Sequence, residues 1–328
     1  PAPPADWRAL SLREKVGQTV IFETDAVREG SVGDGSLASF VERYPAAGFF
    51  LAHWKFPLSD GADRAARVQR HIDRYRRACR VPPFLQEDHE QGLGPFDEAF
   101  VHLPTLMALG AADSEALALR YGQVLAEQAR AQGLNWLLNP VVDLALNPLS
   151  PVTSTRAIGD DPARAVPLLL AVLRGTAQHG LISTIKHFPG DGVDHRDQHL
   201  VMPVNGLSRT HWWATYGRVY RALIDAGAPS VMVGRLALPA FQTAQADGQC
   251  QPATLSGELV TGLLKGELGF DGVVMSDALN MGGMQGGHAT AWDPQLAAFR
   301  AALDRRRGRP PACPAARLCG AIGLPALL

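Results

Sequence analysis

The stretch ARAVPLLLAVLRGTAQHGLISTIKHF, residues 163–188, holds one full structural period. Its first part reads as a helix that stops at Gly180, its second is an unbroken apolar run, and it ends on Lys186 and His187. Glycine just past a helix takes the left-handed conformation without a Cβ clash, so Gly180 marks a helix end. The run after it does not alternate apolar with polar, which is the pattern of a parallel strand covered on both faces.

The period recurs on either side. EALALRYGQVLAEQARAQG ends at Gly133 before LNWLLNPVVDLAL, HWWATYGRVYRALIDAG ends at Gly227 before APSVMVGRLAL, and GELVTGLLKGELG ends at Gly269 before FDGVVMSDAL. The earlier runs VGQTVIF, AAGFFLA and PPFLQED bring the candidate strands to seven. Polar residues gather after these runs: Asp88, Asp143, the Lys186–His187 pair, Arg235 and Asp277. A closed parallel barrel brings the carboxyl ends of all its strands to one rim. An open doubly wound sheet gathers them at one edge, but no GxGxxG follows the first strand, which speaks against its dinucleotide-binding form. The expectation is an α/β chain: a single (β/α)8-like TIM-barrel domain over residues 1–303, with residues 304–328 as an atypical tail. After DPQLAAFRAAL the chain reads DRRRGRPPACPAARLCGAIGLPALL, where no eighth strand–helix unit is evident. The basic run at 305–309 reads as a solvated terminus ahead of an interaction tail.

Composition excludes several functions. The 328 residues are 46% hydrophobic and 19% charged, enough apolar content for a sizeable core and too little charge for a disordered chain. A net charge of −1 gives no field that favours nucleic acid or an anionic membrane. Cys79, Cys250, Cys313 and Cys319 form no CxxC pair and suit reduced thiols. No apolar run reaches the roughly 18 residues of a membrane span, and no signal-peptide pattern opens the chain. The expectation is a cytoplasmic monomer.

KHFPGDGVDHRDQH, residues 186–199, concentrates His187, His195 and His199 with Asp191, Asp194 and Asp197. Three readings compete. As a metal site, Asp194, His195, Asp197 and His199 supply oxygen and nitrogen ligands. However, the HExxH helical spacing is absent, and Gly190 and Gly192 mark a loop rather than a cage. As a plain polar loop, the segment has no chemistry. As a proton-transfer device it needs only Asp197 and His199, because a carboxylate two residues from an imidazole can orient the ring and stabilise its protonated form. The rim residue Asp277 would then be the group that attacks.

KHFPGDGVDHRDQH resembles the KHFPGHGxxxxDSH motif of the β-N-acetylglucosaminidase (β-hexosaminidase) branch of family 3 glycoside hydrolases. GFDGVVMSDALNM is similar to that family's nucleophile segment, G[YF]DGVVxSDDLxM. Weaker matches follow in the same order: LSLREKVGQ, DHEQG, LPTLMALGA, NPVVDLALNPLSPVTSTRAIGDDP and PATLS. The resemblance covers about residues 10–284. It implies Asp277 as nucleophile and His199 as acid/base backed by Asp197, with Asp88, Arg156, Lys186 and His187 holding sugar hydroxyls. It implies a (β/α)8 barrel, no metal and no organic cofactor. Retaining hydrolysis usually employs two carboxyl groups; here a histidine, uncharged before it accepts a proton, replaces one of them.

Each residue also has a plainer reading. Asp277 suits the N-cap of a following helix, and His187 a core histidine bonded to backbone. Lys186 suits a partner for a structural aspartate, and Arg156 for Asp160 or Asp161. Asp88 suits a loop cap with Glu90 as the true ligand, and Asp143 reads as structural. The chain departs from the family pattern at Asp191 (His there), Gln198 (Ser or Thr), Gln91 (Gly), Leu93 (Arg), Gly234-Arg235 (Ala-His) and Ala278 (Asp). The expected activity is a retaining β-N-acetylhexosaminidase of the bacterial cell-wall recycling type. Its rivals are a related β-glycosidase or glycoside phosphorylase and an inactive sugar-binding relative.

Overall fold

The computed structural model describes residues 6–24, 36–52, 64–243 and 248–279. The strands are β1 (Ile21–Glu23), β2 (Gly48–Phe50), β3 (Phe84–Glu87), β4 (Trp136–Leu137), β5 (Ile182–Phe188), β6 (Ser230–Val233) and β7 (Val273–Ser276). Each lies inside one of the apolar runs read from the sequence, save that β1 extends one residue past its run to Glu23. They pair in strict chain order, and every pair is parallel. A doubly wound sheet reverses its strand order at a switch point, whereas a (β/α)8 barrel does not. The order therefore identifies the barrel-type fold. The expected tail at 304–328, and any eighth unit after β7, lie outside the described residues.

The helices are α1 (Leu12–Gly17), α2 (Leu37–Arg43), α3 (Arg64–Ala78), α4 (Leu106–Ala112), α5 (Glu115–Gln132), α6 (Pro162–Ala177), α7 (Arg209–Trp212) and α8 (Arg218–Asp225), with a π-helical turn joining the last two and a π-helix, Glu258–Glu267, between β6 and β7. Sequence sets their ends. The Asp161 side chain accepts the Ala163 N–H at the start of α6, with Pro162 at the first helical position. The glycines read as stops, Gly133, Gly180, Gly227 and Gly269, have φ of 91°, 67°, 86° and 72°, the left-handed region. Glycines also set how closely α5 and α6 approach. A Cβ on Gly122 would lie 2.3 Å from the Val172 carbonyl oxygen, and one on Gly175 2.3 Å from that of Leu119.

The strands bury both faces. Phe49, Leu85, Leu137, Ile185, Val231 and Val274 pack outward with helix residues such as Leu125, Leu169, Val172 and Leu223. Alternate positions, among them Trp136, Met232 and Met275, form a second cluster inside the curl of the sheet. Both faces being apolar is why the runs show no alternation. The Trp136 indole inside donates to Thr184 Oγ1 at 2.6 Å, so its buried N–H is satisfied. Among the described residues no helix is long and apolar enough to cross a membrane.

Candidate active site

The ends of β3, β4 and β5 supply one charged pocket. Beyond β3 the chain turns sharply at His89, with φ of 43°, and places Asp88 and Glu90 side by side. The turn is pinned to α5: the Tyr121 hydroxyl donates to the Glu90 carbonyl, and Gln128 Oε1 accepts the Leu93 N–H at 2.7 Å. Arg156 comes from the short turn Ser154–Arg156 and grips Glu90 with two parallel bonds, Nε to Oε2 at 2.7 Å and Nη2 to Oε1 at 2.6 Å. Such forked pairs are among the strongest and most directional charge-assisted hydrogen bonds.

Lys186 lies between the carboxylates, its Nζ 2.5 Å from Asp88 Oδ1 and 2.9 Å from Glu90 Oε1. It is 1% exposed, and a lone buried ammonium is costly unless paired. Two cations thus face two anions. Burial pushes the Glu90 carboxyl up, but the adjacent Lys186 and Arg156 charges outweigh it and hold Glu90 well below the usual carboxylate range. Burial also disfavours the Lys186 charge, yet Asp88 and Glu90 raise its pKa above the ordinary lysine value. Asp88 and Arg156 keep 34% and 30% of their side chains exposed, so they present the pocket's open polar edge.

The ladder between β5 and β6 shifts register between Ile185 and Phe188, where Lys186 and His187 sit. Irregularities of this kind re-aim side chains at a rim. His187 Nδ1 lies 2.7 Å from Asp143 Oδ2, while Asp143 Oδ1 accepts the backbone N–H of Asp191 at 2.7 Å. Asp143 is buried and orients His187, a job its sequence did not reveal. Asp191 is buried as well. Its Oδ1 accepts the Gly192 N–H at 2.7 Å, and among the described residues its Oδ2 has no hydrogen-bond partner. Burial first, and then the neighbouring Asp143 charge, push its pKa up to about 6.

Asp277 directly follows β7. Its N–H donates to the Val233 carbonyl at 3.0 Å, and its Oδ1 accepts the Ala278 N–H at 2.7 Å. Arg235, beyond β6, is fully buried with Nη1 3.8 Å from Asp277 Oδ2. Burial raises the pKa of the Asp277 carboxyl, but Arg235, then His187, the Ala278 N–H and Lys186, bring it below the ordinary value.

The loop after β5 holds the Asp–His pair. Asp197 Oδ1 accepts the His199 N–H at 2.8 Å and lies 2.6 Å from His199 Nδ1. The His199 side chain is 53% exposed. Burial raises the Asp197 pKa, but the bonds from His199, with Arg156 adding its charge, bring it below the ordinary value. The residues of the metal reading do not gather. Asp194 is committed to Arg196 and to the Val204 N–H, and the His195 side chain is 73% exposed. Among the described residues no group of three or more His, Cys, Asp or Glu side chains is spaced to hold a metal ion.

The structure thus joins Asp88, Arg156 and Lys186 through Glu90, and sets His187 and Asp277 on the same rim. The Asp197–His199 pair stands on the adjoining loop, and none of the hydrogen bonds and ion pairs described above links it to Asp277. Arg156 pairs with Glu90 rather than with Asp160 or Asp161. His187 is bonded to a carboxylate rather than to backbone alone. Leu93, at the family's arginine position, is fully buried. Glu90, Asp143 and Arg235 were underweighted by sequence reasoning. The signal for each was its place at a strand end.

The family model for the glycosyl hydrolase family 3 N-terminal domain matches residues 11–304. A Cellulomonas fimi β-N-acetylglucosaminidase/β-glucosidase is 40% identical over 62% of this chain and 37% of its own length. A Chromobacterium violaceum β-hexosaminidase is 33% identical over 73% of this chain and 70% of its own. Among solved structures, a β-glucoside phosphorylase bound to 2FGlc superposes with TM-score 0.79 at 28% identity, covering 97% of this chain and 53% of the other. A family 3 β-N-acetylglucosaminidase from Paenibacillus sp. gives 0.78 at 26% identity, covering 96% and 55%. The chain therefore spans little more than half of either solved relative. With the strand order, the rim residues and a family match over nearly the whole length in agreement, the chain belongs to glycosyl hydrolase family 3.

Proposed function

We propose that this protein is a retaining β-N-acetylglucosaminidase that acts at the non-reducing end of its substrate. The observation that carries the reading is the prebuilt pocket of Asp88, Glu90, Arg156, Lys186 and His187 with the half-buried, ionised Asp277 on the same rim. Asp88 and Arg156 hold sugar hydroxyls through their exposed edges, and Lys186 and His187 complete the pocket from beneath. Asp277 attacks the anomeric carbon while His199, oriented by Asp197, protonates the departing oxygen through Nε2. The same imidazole then takes a proton from water, whose oxygen displaces the aspartyl ester. The names of the Cellulomonas fimi and Chromobacterium violaceum relatives support the glycone assignment. A cytoplasmic role in recycling cell-wall fragments fits this substrate class. Release of aryl alcohol from an aryl β-N-acetylglucosaminide, with retained configuration and loss of turnover in Asp277→Ala, tests it; equal turnover by both proteins refutes it.

A second reading is phosphorolysis. An imidazole in place of a second carboxylate leaves no fixed charge to repel an anionic acceptor, and a β-glucoside phosphorylase is among the similar structures. Phosphate-dependent release of sugar 1-phosphate supports that reading, and free sugar at an unchanged rate with phosphate present excludes it.

A further inference from the structure

We propose that Arg235 is a positioning residue for the nucleophile, whose buried guanidinium keeps the Asp277 carboxylate aimed and ionised and favours its release in the second half of the reaction. The proposal rests on the reading of Asp277 as nucleophile. The β6–β7 register pairs Val233 with Ser276, so Arg235 and Asp277 leave neighbouring strand ends on one rim. The 3.8 Å separation of Nη1 and Oδ2 exceeds a hydrogen bond, so the attraction is charge on charge, and burial leaves it little screened by solvent.

The segment that carries Arg235 is tied down from several sides. Gly234 N–H donates to the Phe188 carbonyl at 2.8 Å, and Thr254 Oγ1 donates to the Gly234 carbonyl at 2.9 Å. The Arg235 N–H donates to Gln198 Oε1 at 3.3 Å, and Gln198 lies between the two residues of the acid/base pair. A Cβ on Gly234 would stand 3.1 Å from His187 Cβ and 3.3 Å from Gln198 Oε1, so glycine permits the close approach. Gln198 and Gly234-Arg235 are separate departures from the family pattern in sequence, and the fold brings them into one contact.

Around Asp277, among the described residues, the charges are Arg235 beyond β6 and His187 and Lys186 on β5, joined by the Ala278 N–H dipole. Lys186 already serves Asp88 and Glu90, and His187 serves Asp143. Arg235 exerts the largest effect of the four. In the first step an Asp277 oxygen bonds to the anomeric carbon, the glycosidic C–O bond breaks, and the departing oxygen takes the His199 proton. The carboxylate charge disappears into an ester. In the second step water oxygen bonds to that carbon, His199 takes the water proton, and the ester C–O electron pair returns to Asp277. A fixed cation stabilises that returning charge, so it favours the second step over the first.

The test uses an aryl β-N-acetylglucosaminide with a fast-leaving phenol. In Arg235→Met the acidic limb of kcat/KM is expected to move to higher pH, because that limb reports the free-enzyme base. Steady-state kcat falls about a hundredfold, while a burst of phenol near the enzyme concentration persists. Arg235→Lys returns the limb to near its original place. Should the methionine variant fail to fold, Arg235→Gln removes the charge with a polar side chain and reads the same limb. An unmoved limb, with burst and steady-state rates falling together in the neutral and lysine variants alike, overturns the proposal. The nucleophile reading fails separately, as an Asp277→Ala variant that azide does not rescue to an α-glycosyl azide.

Discussion

Two neighbouring parts of the rim are built in opposite ways. In the pocket every charge is locked to an opposite one, with Lys186 bridging Asp88 and Glu90, Arg156 forked onto Glu90, and His187 held by Asp143. Lys186, His187 and Asp143 are buried, and the paired groups come from three different strand ends. On the loop that follows, the Asp197–His199 pair is bonded within itself over two residues, and half of the imidazole side chain faces solvent. Under the proposed function, the contrast separates recognition from proton transfer. Groups that hold a sugar gain from being fixed before it arrives. A group that must reach a departing oxygen, and later a water, gains from room to turn.

The contrast predicts that variants in the two regions fail differently. Asp277→Ala, at the deep end, should lower turnover by about 10⁴-fold or more, and it should also lower the urea midpoint, because it removes an anion 3.8 Å from the fully buried Arg235 guanidinium. Midpoint and kinetics measured on one preparation check both halves of that statement. Lys186→Met should cost about 3 kcal/mol of stability, because it leaves Asp88 and Glu90 sharing one cation. Urea unfolding reads the loss, and adding Asp88→Asn should recover part of it. A neutral result would mean the pocket is not interlocked.

His199→Ala should act on chemistry alone. With a poor leaving group kcat should fall about a hundredfold, and with an activated phenol less than about tenfold. Stability should stay within about 0.5 kcal/mol, as for other exposed side chains. A large loss of stability would erase the distinction between the two regions.

The smallest expected effect is at Asp191, beside the locked region. Its pKa of about 6 lies above the ordinary 3.8, so the folded protein holds a proton that the unfolded chain has lost between those values. Stability drawn from this site is therefore full below about pH 4, falls as pH rises, and is lowest above about pH 6. Asp191→Asn should raise stability by about 2 kcal/mol at pH 7 and by nothing at pH 4. Unfolding curves for both proteins at the two pH values decide it, and a gain at pH 4 equal to that at pH 7 would show that proton linkage is not the cause.

Much of the architecture was legible because it rests on local physics. Helix stops at Gly133, Gly180, Gly227 and Gly269 and unbroken apolar runs report left-handed ends and doubly covered strands, and the structure has both. The rim was legible because residues after parallel strands must share one end. Which rim residues meet was less so. Arg156 lies 66 positions from Glu90 and Lys186 lies 98 from Asp88, and no local pattern fixes such pairings. Asp143 read as structural because its role appears only once His187 stands over it. Arg235 and Gln198 read as unrelated departures because the contact between them exists only after β6 and the loop after β5 are side by side.

The measurement closest to the central claim is a crystal structure with N-acetylglucosamine bound. The account predicts hydroxyls on Asp88 and Arg156, the pocket side chains unmoved, and the anomeric carbon over Asp277. It also predicts His199 Nε2 turned to about 3 Å from the anomeric oxygen. A sugar seated with its anomeric carbon away from Asp277, or one that His199 does not approach, would contradict it.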